Sequence, residues 1–229
     1  MSGLIATNRK TLTLIVSLFG VTLITFPMWA DQPASRFPGK PSISLFEAAW
    51  RADVEQMKSN IFYGADVNIR ERDKLGGEWI PLRSAVVGAI DTDVNQSKKD
   101  RLKVMELLID AGADVNATFD FRYGWRICDV AAMAGDIDMV TLLLRRGADL
   151  NGRGKDPLHP DKPGNAPLHW AVQYNHIKVA NLLIERGADS NLTGAAGLTP
   201  LQLATELHKA KVDDYQSIID LLIDAANVR

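Results

Sequence analysis

The chain has 229 residues, 46% of them apolar and 24% charged, with a formal net charge of −2. That balance suits one sizeable core and lacks the basic footprint of a nucleic-acid binder. Only Cys128 is present, so no intramolecular disulfide can form and apolar packing has to supply the stability.

Residues 1–30 stand apart from the rest. Arg9 and Lys10 give a basic start, Leu12 to Phe26 is mostly apolar and uncharged, and Pro27-Met28-Trp29-Ala30 precedes polar Asp31-Gln32-Pro33. The pattern reads as a secretory signal peptide cut near Ala30, although Met28 is an unusual residue at its position before the cut. The alternative is an inner-membrane anchor through residues 12–26, but those fifteen residues fall short of the ~20 that a spanning helix needs. No cysteine lies near the cut, so a lipid-anchored precursor is not expected. Loss of Arg9 and Lys10, with no acid in the first 30 residues, would leave a net charge of −4. Residues 31–41, with Pro33, Pro38 and Pro41, read as an extended leader.

From residue 42 onward the chain repeats. A Gly-Ala-Asp-x-Asn tag begins at Gly64, Gly112, Gly147 and Gly187, with spacings of 48, 35 and 40. The glycine supplies the left-handed residue that ends a helix. The Asp and Asn side chains can bond nearby backbone and start a turn. Ahead of the tag, Leu142-Leu143-Leu144 and Leu182-Leu183-Ile184 read as a buried second helix. Pro81, Pro167 and Pro200 sit where a first helical turn needs no donor. One such helix pair cannot bury its apolar face alone, whereas stacked pairs share a continuous core.

The clearest unit runs from Asn165 to Asn191. It carries Pro167, Leu168, His169 and Ala171, then Leu182, Leu183, Gly187, Ala188, Asp189 and Asn191. This resembles the ankyrin repeat, departing from its T-P-L-H-x-A pattern only at Ala166. The resemblance implies an all-α ankyrin-repeat solenoid of about five helix-pair units with enlarged hairpin fingers. The units fall at about 42–75, 76–120, 121–160, 161–194 and 195–229, within one domain of residues 42–229. The end units are atypical, as caps are. Gln56, Ser59 and Asn60 replace apolar residues in the first, and the tag of the last has decayed to Ala225-Ala226-Asn227. Against the family period of ~33, three fingers are lengthened: by four residues between Asn68 and Ile80, two between Asn116 and Arg126, and seven between Asn151 and Ala166. About eleven polar residues near Ala89 to Lys99 are expected as a loop within the second unit, and a smaller insertion falls near His208 to Asp213.

The resemblance also implies protein binding through the finger tips and the concave face of the first helices. In register, that face carries Glu47, Trp50, Arg51, Ser84, Val87, Val130, Met133, Trp170, Gln173, Tyr174, Leu203 and Glu206. Large aromatics there would bury much area for little entropy. The second finger alternates Phe119, Phe121, Tyr123 and Trp125 with polar residues, so its rings could share one face, with Arg122 and Arg126 beside it. It reads as an interaction edge or as packing against the neighbouring fingers. The mixed run Arg70-Glu71-Arg72-Asp73-Lys74 reads as a solvated tip.

Catalysis is not expected. His169 and His176 occupy structural positions of the family, and Cys128 falls on a buried apolar position where a thiol is inert. Gly152-Arg153-Gly154-Lys155 lacks the spacing and preceding strand of a phosphate loop, and no zinc-protease, paired-cysteine or nucleophile-elbow motif is present. No metal or cofactor is therefore expected. Asn95, Asn116 and Asn191 open glycosylation sequons, but the last two belong to the tag. The functional expectation is a monomeric, non-catalytic binding module of the bacterial periplasm, foremost an immunity or inhibitor protein that neutralises a toxin enzyme. The alternatives are a periplasmic ankyrin protein that supports oxidant defence beside a catalase, and a hydrolase with an unrecognised site, which loss of an activity on changing His169 and Asp129 would have to support.

Overall fold

The computed structural model describes residues 38–72, 77–88, 98–119, 124–155, 161–210 and 214–227, with the backbone of 11–12 and 26–27. The chain divides into two units, Met1–Gly39 and Lys40–Arg229. In the first, β1 (Thr11–Leu12) pairs antiparallel with β2 (Phe26–Pro27). The export signal and most of the leader otherwise lie outside the described residues. Among those described, no helix is long and apolar enough to cross a membrane.

The second unit is built from helix pairs: α1 (Leu45–Trp50) with α2 (Val54–Phe62), α3 (Pro81–Val87) with α4 (Lys98–Asp110), and α5 (Ile127–Ala134) with α6 (Ile137–Arg145). Then come α7 (Pro167–Gln173) with α8 (Ile177–Glu185), and α9 (Pro200–Lys209) with α10 (Gln216–Asn227). First helices pack on first helices and second on second, giving two layers. Hairpins project between pairs. In the first finger β3 (Glu71–Arg72) pairs with β4 (Glu78–Trp79), and in the second β5 (Thr118–Phe119) pairs with β6 (Trp125–Arg126). A bridge between Lys155 and Pro163 marks the third. Five helix pairs joined by fingers are the architecture that the resemblance implied.

The local reasons are visible in the caps. Pro81, Pro167 and Pro200 open α3, α7 and α9, where a missing N–H costs nothing. Asp53 and Asp136 accept from the first turns of α2 and α6, as N-caps do. The third residue of the first helix often turns back on its own cap. His169 Nδ1 accepts from Ala166 N at 3.3 Å, Asp129 Oδ2 from Arg126 N at 2.9 Å, and Gln202 Oε1 from Thr199 N at 2.9 Å. Leu108, Leu143 and Leu183 are fully buried in the second layer and Leu222 nearly so.

The tag does more than start a turn. Gly64, Gly112, Gly147 and Gly187 all take positive φ, 82° to 96°. Each Asp bonds locally: Asp66, Asp114, Asp149 and Asp189 accept from the backbone N–H two residues on. The asparagines instead reach across to the next repeat. Asn68 Nδ2 donates to Gly112 O at 2.9 Å and Asn116 Nδ2 to Gly147 O at 3.0 Å. Their carbonyl oxygens, with that of Asn151, accept from Asp114 N, Asp149 N and Asp189 N. The asparagines thus form a staple running along the array.

Four expectations change in detail. The polar residues of α2 do not face water. Ser59 and Asn60 are buried, Asn60 Nδ2 donates to Ile43 O, and Gln56 Oε1 accepts from Ser42 N. They hold the incoming chain, which covers them. Lys98 and Lys99 belong to α4, where Lys98 pairs with Asp138 at 2.7 Å and Asp136 at 3.3 Å, leaving residues 89–97 outside the described set. Ala225-Ala226-Asn227 continue α10 because no glycine stops it. His208 and Lys209 likewise extend α9.

Candidate interaction face

The expected face divides into buried and presented residues. Trp170, Val130, Phe119 and Ser84 are buried, at 9%, 6%, 2% and 2% exposure, and so cannot serve as presented contacts. For Phe119 the cause is Arg83. Its guanidinium covers Trp79 at 3.8 Å and the Phe119 ring at 4.9 Å, while its Nη1 donates to Glu78 O at 2.7 Å. The second finger therefore packs that ring against the first, so at Phe119 the packing reading holds and the edge reading fails. Phe121, Arg122 and Tyr123 lie outside the described residues. Arg126 is no edge either: it is 8% exposed, with Nε 3.6 Å from Asp129 Oδ2 and Nη1 3.4 Å from Asp149 Oδ2.

Trp170 is buried because rings lie on both sides of it. Trp125 meets it edge-on at 6.0 Å, and Tyr174 stacks at 6.5 Å. Tyr174 stacks in turn on His176 at 6.3 Å, and His176 Nε2 lies 2.9 Å from Met133 O. The row ends in solvent: Tyr174 is the C-cap of α7 and is 49% exposed. Beside it Trp125, Met133 and Gln173 are half-buried. Gln173 Oε1 accepts from Asn165 Nδ2 at 3.2 Å, and its carbonyl accepts from Tyr215 Oη at 2.8 Å. A rigid, half-wet aromatic surface backed by fixed polar groups can anchor another protein's side chains.

A second part of the face lies at the other end. Trp50 is half-buried and meets Trp79 edge-on at 5.9 Å. Arg51 is exposed and ion-paired with Glu47. Sequence reasoning missed Trp79, although its position was readable: it precedes the cap Ile80 as Trp125 precedes the cap Arg126. Val87 and Leu203 are half-buried. Glu206 is exposed and pairs with Lys209 at 2.8 Å.

The groups weighed for catalysis are spent inside the fold. His169 is 1% exposed; its Nδ1 accepts from Ala166 N, so its Nε2–H donates to Leu198 O at 3.1 Å. Burial pushes its pKa down to about 4. Asp129, fully buried at the matching position one unit earlier, is pushed up to about 7 by desolvation against the opposing pull of Arg126. The Cys128 thiol is pushed up to about 12 by burial and by Asp129. Among the described residues, no group of three or more His, Cys, Asp or Glu side chains could hold a metal ion.

Comparison with known proteins agrees with this architecture. The family model described as ankyrin repeats (3 copies) matches residues 94–194 and 150–229. Alpha-latrocrustotoxin-Lt1a of Latrodectus tredecimguttatus is 31% identical over 157 residues, covering 57% of this chain and 11% of that protein. The mitochondrial disaggregase of Bos taurus is 29% identical over 172 residues, 75% of this chain and 22% of the relative. The NF-kappa-B inhibitor cactus of Drosophila melanogaster is 36% identical over 93 residues, 40% of this chain and 17% of the relative. The chain thus spans only a minor part of these relatives. Ankyrin arrays are protein-binding modules, and with the repeat, the stacked pairs and the family model in agreement, the chain belongs to the ankyrin-repeat family.

Proposed function

We propose that the chain is a non-catalytic binding module of the bacterial periplasm that seats a partner protein on its concave face, foremost a toxin enzyme that it neutralises by occlusion. The observation that carries the binding reading is Tyr174, half exposed at the end of the row Trp125–Trp170–Tyr174. A large ring held rigid on a stack loses little entropy on binding, which is how interface anchors gain their affinity. Occlusion draws support from the lengthened fingers and from a relative named as an inhibitor, cactus. Export draws support from the basic-then-apolar pattern of residues 9–30. The acidic balance would add weak steering toward a basic partner.

The test is capture from periplasmic extract and from extracts of competing strains, with the Tyr174→Ala variant in parallel. A toxin enzyme retained by the natural chain, inhibited by it and lost from the variant supports the proposal. Equal retention by both chains overturns the face. Retention of a resident catalase without inhibition overturns the immunity role.

A further inference from the structure

At the N-terminal end of the concave face, α1, the first finger and α3 border an open hollow of about 240 Å³. This lies below the ~300–1,000 Å³ of pockets that enclose small-molecule ligands, and it has room for one long side chain. Its apolar walls are Phe46, Trp50 and Trp79, and among the described residues the charged groups lining it are the carboxylates of Glu47 and Glu71. The hydroxyls in the lining are engaged: Ser44 Oγ accepts from Glu47 N at 3.1 Å, and Ser84 Oγ donates to Ile80 O at 3.4 Å. Glu47 is paired with Arg51, but both side chains of that pair are exposed, at 42% and 58%. Such a pair contributes little and yields readily to a better partner.

What the hollow offers is therefore aromatic surface beside two negative charges. A ring face attracts a cation, more strongly once water is excluded, and carboxylates bind a guanidinium through paired, charge-assisted hydrogen bonds. The flat guanidinium can stack and pair together, whereas a compact, strongly hydrated ammonium cannot. Trp79 already shows its capacity for this contact with Arg83, which does not line the hollow.

We propose that this hollow receives an arginine side chain projecting from the partner protein, stacked against Trp50 and Trp79 and paired with Glu47 and Glu71. The proposal rests on the protein-binding reading above, and it names the chemistry that one end of the face selects.

The probe is N-acetyl-arginine amide, titrated into the ¹⁵N-labelled full chain. Binding is followed through the indole N–H signals of Trp50 and Trp79, identified with W50F and W79F. The expected result is a saturable shift of those two signals. N-acetyl-citrulline amide, neutral and of nearly the same shape, should bind roughly tenfold more weakly, and Glu47→Gln with Glu71→Gln should lose a similar factor for the arginine probe. Unmoved indole signals of Trp125 and Trp170 in the double variant verify that the fold is kept. Absence of a shift, an equal response to citrulline, or an undiminished response in the double variant overturns the proposal. A captured partner separates this from the parent reading. If the partner binds the natural chain and the double variant equally, only the arginine subsite falls. If a concave-face variant retains it as the natural chain does, the face itself falls.

Discussion

The side chain of Asn116 is shared with Asp149 of the next repeat: its oxygen accepts from Asp149 N at 2.8 Å while its nitrogen donates to Gly147 O at 3.0 Å. Each staple ties one tag to the next, so stability passes along the array through these bonds as well as through the core. A net hydrogen bond contributes about 1 kcal/mol, and those at Asn116 are partly wet. Asn116→Ala should lower the unfolding free energy by about 1–2 kcal/mol, and urea unfolding should stay a single transition because neighbouring repeats are coupled. Splitting into two transitions would show that the staple, and not the core, carries the coupling.

Trp170 and Tyr174 touch but should behave as opposites. Replacing a buried tryptophan by alanine costs ~3–5 kcal/mol through lost burial and a cavity, so Trp170→Ala should cut stability by about that much. Tyr174 has half its surface in water, and Tyr174→Ala should cost ~1 kcal/mol or less while weakening partner binding about tenfold or more. Thermal unfolding beside a binding titration checks both. A Trp170→Ala variant that melts like the natural chain would contradict its burial.

His169 makes stability depend on pH. Its pKa is about 4 in the folded chain and ~6.5 when unfolded, so between these values the unfolded chain binds more protons. Its contribution is therefore complete above pH ~6.5 and is lost as pH falls toward 4. Gln202 fills the matching position in the last unit with an uncharged side chain, accepting from Thr199 N. His169→Gln should fold and should lose less stability than the natural chain between pH 7 and pH 4.5, read as the shift in urea midpoint. An identical pH profile would place the sensitivity elsewhere.

Cys128 should serve as a reporter of opening. With its thiol 2% exposed and pushed up to about 12, almost no thiolate exists at pH 8, and the thiolate is the reactive form. Modification by a disulfide reagent at pH 8 should be slower than for the denatured chain by orders of magnitude and should quicken with urea. Immediate labelling of the folded chain would show a local opening of α5.

Much of this was legible in the sequence because the repeat imposes a register. The tag glycines, the opening prolines and His169 each do one backbone job that only certain residues perform, so their identity reveals their place. The face was harder to read. Register put Trp170, Val130 and Ser84 on the concave side, but exposure depends on what lies across from them, and Trp125 arrives from a finger whose inserted length sets its position. The stacking of Arg83 on Trp79 and Phe119 was similarly hidden, because Arg83 stands where the pattern expects a cap-bonding histidine.

Asp129 stands at that same position in its own repeat, and its effect on pH dependence runs against that of His169. The carboxylate accepts from Arg126 N at 2.9 Å and lies 3.6 Å from the guanidinium, yet it is fully buried, and desolvation outweighs these partners to push its pKa up to about 7. Unfolded, the group titrates near ~3.9. Between those values the folded chain holds the extra proton, so the contribution of Asp129 falls as pH rises from about 4 to about 7 and is level above. Asparagine keeps the acceptor for Arg126 N and removes the charge. Asp129→Asn should therefore gain on the natural chain as pH rises from 5 to 8, by ~1 kcal/mol or more, measured by urea unfolding at both values. An unchanged difference between the two pH values would overturn this: the carboxylate would then be ionised in both states throughout that range, with the ion pair to Arg126 outweighing the cost of burial.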